Sequence, residues 1–163
     1  MDKALYNAEK FTTDDIRAVD AKFEAQKIAF APLAFQAIRT MIDLNILRAI
    51  ESAGDKGITR AALAEKTGVS EYGVGVLCEM ALGMNVIKLT KDSIADGSAD
   101  AGKTEKFIIG KIGWMLLEDD LTKVNFNFTN DICYMGAYDL DESIRTGKPA
   151  GLKYFGTQWA TIY

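Results

Sequence analysis

The clearest apolar pattern of the chain lies between Gly57 and Met84, where two short amphipathic segments follow each other. In the first segment Thr59 is placed to cap a helix, and Gly68 is a typical residue to end it. Ser70 opens the second segment, in which the apolar positions recur at the three- and four-residue spacing of a helix that buries one face: Val74, Leu77, Cys78, Ala81 and Leu82. The pattern predicts a helix-turn-helix.

The second helix of this pair lacks the donors that a DNA-reading helix offers to base edges and phosphates. Its outward positions include Glu71 and Glu79, whose carboxylates phosphate would repel. Tyr72, Val76 and Met80 form a second apolar stripe at four-residue spacing. We therefore predict that the motif packs against protein, either another subunit or the rest of its own domain.

Two further apolar segments precede the motif, after a flexible N-terminus expected at residues 1–11. A helix is predicted to begin near Thr13 and to end at Pro32, because proline is disfavoured inside a helix. The segment from Phe30 to Gly54 is apolar around most of its circumference and predicts one continuous helix that needs cover on nearly every side. We expect a second copy of the chain to provide that cover, the alternative being the central helix of a monomer. The predicted dimer-interface residues are Ile16, Val19, Phe23, Phe30, Phe35, Ile38, Met41, Ile42, Tyr72, Val76 and Met80.

Downstream of the motif, Val86–Thr90 and Phe107–Ile109 predict a β-hairpin around a loop rich in Gly, Ser and Asp. Further helices are predicted at Lys111–Glu118, from Asp119 to Gly136 and from Tyr138 to Arg145, the last of these stopped by Gly147 and Pro149. A final amphipathic helix is predicted from Thr157. The expected fold is mainly α, a winged helix-turn-helix with a small β-hairpin wing and additional N- and C-terminal helices. We assign residues 12–118 to the winged-helix domain and residues 119–163 to a helical linker. Because no cap or glycine follows Tyr163, we expect the chain to be a fragment of a longer protein.

The amino-acid composition limits the kinds of catalytic and metal site that the chain can form. The 163 residues are 48% hydrophobic, carry a net charge of −4 and include no histidine, which removes the commonest general base and zinc ligand. Cys78 and Cys133 have no CxxC spacing, and Gly73-x-Gly75 lies inside a helical pattern rather than after a strand. We therefore predict no metal site, no cofactor site and no catalytic residue in this chain. A cytoplasmic location is expected, since no secretory or membrane-spanning segment is recognisable.

The order of these segments resembles the N-terminal region of class I S-adenosylmethionine-dependent O-methyltransferases of the bacterial and plant small-molecule type. IDLNILRAIESAG is similar to a family segment in which glycine is usual at the position of Asn45. ITRAALAEKTGVS resembles the family's Thr-x-x-Glu-Leu-Ala helix, with Ala62 where glutamate is common. RTGKPAGLKYFG is similar to the family's Gly-x-Pro bridge into the catalytic domain.

The resemblance implies a homodimerisation domain that also walls off part of a substrate pocket and is not catalytic by itself. The domain that binds S-adenosylmethionine would follow Tyr163. The substrate-pocket candidates are Asn127, Phe128, Cys133, Trp159 and Tyr163, whose aromatic members would stack on a flat small-molecule methyl acceptor. A winged-helix DNA-binding transcription regulator is the alternative function, and a ligand-sensing or scaffold domain is a third.

Overall fold

The computed structural model describes residues 12–94 and 105–156. They form the predicted mainly α fold with a small antiparallel sheet. The helices are α1 (Ala18–Asp43), α2 (Ile46–Ser52), α3 (Arg60–Thr67), α4 (Glu71–Gly83), α5 (Lys111–Glu118), α6 (Asp120–Phe128), α7 (Tyr134–Gly136) and α8 (Leu140–Thr146). The strands are β1 (Ile58–Thr59), β2 (Ile87–Leu89) and β3 (Lys106–Ile109). A π-helical turn, Thr129–Cys133, joins α6 to α7, and 3-10 turns lie at Gly54–Lys56, Lys91–Ile94, Ala137–Asp139 and Ala150–Phe155.

The N-terminal helices break at a different place from the one predicted. α1 runs through Pro32, so the predicted division at this residue is wrong. Pro32 has no N–H to donate to the carbonyl four residues earlier, and a helix of 26 residues tolerates that one loss. The break falls instead at Asn45, which adopts a left-handed conformation with φ 58°, so the predicted continuous helix to Gly54 is also wrong. Asparagine is one of the few residues that accept this conformation readily.

The helix-turn-helix forms from the predicted capping groups. The Thr59 hydroxyl accepts a hydrogen bond from the N–H of Ala62 at 3.3 Å. The Ser70 hydroxyl accepts one from the N–H of Gly73 at 3.1 Å. Gly68 ends α3 with φ +72°, a conformation that favours glycine. Each helix of the pair therefore begins or ends where a local side-chain or backbone signal lies in the sequence.

The sheet is one strand larger than predicted, with the strand order β1-β3-β2. β2 and β3 pair antiparallel with Ile87 opposite Ile109, which is the predicted pairing. The additional strand β1 immediately precedes α3 and places Ile58 opposite Phe107. The helix-turn-helix is thus joined directly to the wing-like hairpin.

A single hydrophobic core joins α1, α2, the helix-turn-helix and the sheet. Its largest fully buried side chains are Phe107, Met41, Ile46, Leu47, Ile50, Leu63, Ile87, Val74 and Cys78. The predicted inner face of α4 is thereby confirmed at Val74, Cys78 and Ala81, while Leu77 and Leu82 pack at the edge of the core. Only the C-terminal half of α1 contributes buried residues, Ile38 and Met41.

The C-terminal helices follow the core with the predicted caps. Asp119 caps α6 by accepting a hydrogen bond from the N–H of Thr122 at 2.8 Å. The hydrogen bonds from Thr122 hold the pKa of Asp119 below its usual value. Gly147 ends α8 with φ +66°. The amphipathic helix predicted from Thr157 lies outside the described residues.

We predict that Ser70→Ala lowers the free energy of unfolding by about 1 kcal/mol, because it removes the cap of α4. Ser70→Asp is the matched control, since its carboxylate accepts the same hydrogen bond near the positive end of the helix. Urea unfolding followed by circular dichroism measures both changes. Equal losses for the two variants would show that the cap contributes nothing.

Candidate functional site

The part of α1 that precedes Pro32 presents large apolar side chains to solvent. Val19 is 66% exposed and Ile28 is 77% exposed. Phe23 and Phe30 are each more than half exposed, as is Leu33 directly after Pro32, and Ile16 lies exposed just before the helix. Val19, Phe23 and Phe30 recur at helical spacing on one side of α1. Because burial of apolar surface contributes roughly 25 cal/mol per Å², exposed apolar residues grouped in this way mark an interaction surface.

A groove of about 660 Å³ lies between this half of α1 and the C-terminal end of α4. Phe23 and Phe30 line it from α1, and Met80 lines it from α4. Ile112 of α5 lies at its edge. The structure thus brings three of the predicted interface residues together around one largely apolar groove.

The outward face of α4 keeps the two acidic side chains exposed, as the sequence suggests. Glu71 and Glu79 are exposed, and Tyr72 between them along the helix surface is 82% exposed. Val76 is 47% exposed, whereas Met80 is half-buried. The apolar stripe of α4 therefore lies largely on the surface rather than inside the domain.

The Arg60 side chain contacts other residues of the chain and is not free to bind a phosphate beside α4. Its guanidinium lies over Gly75, where an added Cβ would stand 2.9 Å from Nη1. Its Nη2 is 3.9 Å from Glu79 Oε1 and 3.8 Å from Glu105 Oε2. Two carboxylates therefore compete with any phosphate for this cation.

We predict that the chain gives no salt-dependent binding to random duplex DNA at low ionic strength, because the outward face of α4 repels phosphate. Fluorescence anisotropy with a labelled duplex measures this. The double variant Glu71→Lys/Glu79→Lys is the charge-reversed comparison, in which weak non-specific binding is expected. Tight binding by the unmodified chain would contradict the inference that α4 faces protein and would favour a DNA-binding regulator.

Four of the predicted interface residues make contacts within the chain. Ile38 and Met41 are buried in the core, and Ile42 packs against it. Phe35 stacks on Phe126 and Tyr134, with ring centroids 4.5 Å and 5.3 Å away. The surface open to a partner is therefore the part of α1 before Pro32 together with Tyr72, Val76 and the Met80 groove.

The described pocket candidates lie along one helical stretch. Asn127 is exposed at the end of α6, and its Oδ1 accepts a hydrogen bond of 2.7 Å from Arg39 Nη1. Phe128 beside it is 44% exposed. Cys133 ends the π-helical turn and is half-buried. Trp159 and Tyr163 lie outside the described residues.

Sequence reasoning missed the residues that hold this stretch against α1. These are Arg39, Phe126 and Tyr134, whose hydroxyl donates a hydrogen bond to the carbonyl of Pro32 at 3.0 Å. Tyr134 and Pro32 are 102 positions apart. The available signal was Phe35, an aromatic residue on a helix face whose partner one sequence does not identify.

The two cysteines are free and differ in environment. Burial raises the pKa of the Cys78 thiol to about 12, so it stays protonated and behaves as a core residue. Cys133 is only partly buried. Their positions support a packing role for Cys78, as the sequence indicates.

We predict that a thiol reagent at pH 8 modifies Cys133 in the folded chain and modifies Cys78 only after unfolding, because burial both shields Cys78 and suppresses its thiolate. Mass spectrometry of the labelled peptides distinguishes the two sites. Cys133→Ser is the control and should reduce native labelling to nearly zero. Rapid native labelling at Cys78 would contradict the buried placement.

The Gly73-x-Gly75 sequence does not fit S-adenosylmethionine. Gly73 and Gly75 lie within α4, and the Arg60 side chain covers Gly75, so these glycines do not form a phosphate- or nucleoside-binding turn. Within residues 12–94 and 105–156 no cluster of three or more metal-ligand side chains occurs. In the same part of the chain, no helix combines the length and hydrophobicity needed to cross a membrane.

These features define a winged-helix-like α domain with an uncovered apolar helix. Residues 22–94, which begin in α1 and end after the first strand of the hairpin, match the Dimerisation2-like domain. The predicted dimerisation region is thereby confirmed over these residues.

A solved structure supports the same fold. The apo form of SibL, an S-adenosylmethionine-dependent methyltransferase, superimposes with a TM-score of 0.65 at 18% sequence identity. The match covers 82% of this chain and 36% of SibL, so the chain spans about a third of that protein's length. No curated protein matches the sequence significantly.

Proposed function

We propose that this chain is the N-terminal homodimerisation region of an S-adenosylmethionine-dependent methyltransferase. The observation that carries the proposal is the uncovered half of α1, whose large apolar side chains border a groove. The match of residues 22–94 to a Dimerisation2-like domain supports the same role. The likeness to SibL supports the class of the parent protein. We propose that another domain of that parent binds the cofactor.

The interface that we propose consists of three residues that line the groove and of exposed apolar residues near them on α4, on α1 and just before α1. A two-fold dimer uses the same surface of both copies, so each copy offers an apolar helix and an apolar groove to the other. Its members are Ile16, Val19, Phe23, Phe30, Tyr72, Val76 and Met80. Phe23 and Phe30 are the central anchors, because buried aromatic side chains dominate interface energetics.

We propose a division of the chain near residue 119. The buried hydrophobic core of the described residues extends from Ile38 to Leu117. α6, α7 and α8 contribute no fully buried residue. Residues 12–118 are thus the dimerisation domain, and residues 119–163 are the helical linker to the catalytic domain.

We also propose that the linker forms part of the wall of the methyl-acceptor pocket. Asn127, Phe128 and Cys133 lie together on the helical stretch that ends in α7, and the exposed Phe128 ring offers a flat apolar surface. Trp159 and Tyr163 complete the proposed set. The acceptor is a small, flat aromatic molecule, and two free thiols are compatible with a reducing cytoplasm.

We predict that the full chain is a dimer at micromolar concentration and that Phe30→Glu raises the dimer Kd roughly 100-fold, because a carboxylate replaces an anchor ring at a desolvated surface. Sedimentation equilibrium measures both. Ala25→Glu adds the same charge at an exposed position of α1 that does not line the groove, and its Kd should be unchanged. A monomeric wild-type chain at tens of micromolar would overturn the proposal.

A further inference from the structure

α1 contacts two different parts of the proposed assembly on either side of Pro32. Before Pro32 the helix carries the exposed anchors Phe23 and Phe30. After Pro32 it carries Ile38 and Met41, which lie in the core. The junction between the two halves is also the place where the segment of residues 120–136, here called the wall segment, is attached.

Four contacts attach the wall segment to α1. The Tyr134 hydroxyl donates a hydrogen bond to the Pro32 carbonyl. The Phe35 ring stacks on the ring of Tyr134 at an interplanar angle of 22° and on that of Phe126 at 33°. Arg39 donates to Asn127 and also to Asp43, one turn further along α1. The contacts follow the same side of α1 for about two turns.

The wall segment has no buried core of its own. Each of its 17 residues is half-buried or exposed. Besides the contacts with α1, Phe126 packs against the edge of the hydrophobic core and Asp119 caps α6. At the other end of the segment, Gly136 approaches Gly151 so closely that an added Cβ on Gly151 would stand 2.5 Å from the Gly136 carbonyl oxygen. A segment with few buried contacts opens easily, so its position depends on the helix that it packs against.

We propose that α1 couples subunit association to the position of the wall segment through Tyr134, Phe35 and Arg39. This inference rests on the proposed dimer. Pro32 removes one backbone hydrogen bond from α1, so the helix is less stiff between its two halves. A partner that packs on the first half of α1 fixes the direction of that half. The position of the Pro32 carbonyl, to which Tyr134 donates, is thereby fixed as well. Coupling of this kind is reciprocal, so loosening the wall segment also weakens the dimer.

The test is hydrogen-deuterium exchange of the full chain, measured from mostly monomeric to mostly dimeric concentrations. Exchange in residues 120–136 should slow in parallel with exchange in residues 19–33 as dimer forms. In Tyr134→Phe, which keeps the ring but loses the hydrogen bond to Pro32, exchange of the wall segment in the saturated dimer should be about fivefold faster, the effect of one hydrogen bond. The dimer Kd should rise by a factor of about the same size.

Tyr138→Phe is the matched control, since Tyr138 is 85% exposed and its variant should change neither quantity. Arg39→Met, which keeps the side-chain stem but removes the bond to Asn127, is a second test and should act like Tyr134→Phe. Exchange in α2, whose Ile46, Leu47 and Ile50 are fully buried, reports global folding and should stay constant in all three variants.

The outcomes separate the coupling from the dimer itself. A chain that remains monomeric overturns both proposals. A dimer whose formation leaves exchange in residues 120–136 unchanged overturns the coupling alone. A raised Kd for Tyr134→Phe with unchanged exchange of the wall segment also overturns it, because the tyrosine would then act only as an interface residue.

Discussion

The burial of Ile38 and Met41 is the contact on which the remaining architecture depends. These two residues pack the C-terminal turns of α1 into the core. A continuous helix of 26 residues is about 39 Å long, so its first half must extend beyond a core that encloses only its end. The exposure of Phe23 and Phe30 is therefore a geometrical consequence of where α1 is anchored.

The sequence predicted most accurately those features that neighbouring residues determine. The caps of α3 and α4 use Thr59 and Ser70, each of which binds an N–H three residues later. Pro32 and Asn45 show the opposite case. Local preference favoured a break at the proline, yet α1 continues through Pro32 and the left-handed turn falls at the asparagine. The family pattern, in which glycine is usual at Asn45, held the correct signal.

The sequence identified which apolar residues belong to the candidate site. It did not show which of them are exposed to a partner and which are buried in the core. Phe30 and Met41 occur in the same apolar segment, and no local property separates the exposed residue from the buried one. The difference in their exposure arises from where α2 and α4 pack against α1, and the apolar pattern of α1 alone does not give those positions. Contacts between residues 88 or 102 positions apart, such as those of Arg39 and Tyr134, are likewise absent from any local signal.

A helix-turn-helix frame serves either DNA or protein, and the sign of its surface charge decides between them. In this chain Arg60 lies between Glu79 and Glu105 and closes over Gly75 of the second helix. The face that would enter a groove of DNA instead exposes Glu71 and Tyr72. The carboxylates of this surface repel phosphate, which disfavours DNA binding. Burial of its apolar stripe against another protein surface is favourable. The same fold is thereby directed toward association with protein by a few side chains that leave its core unchanged.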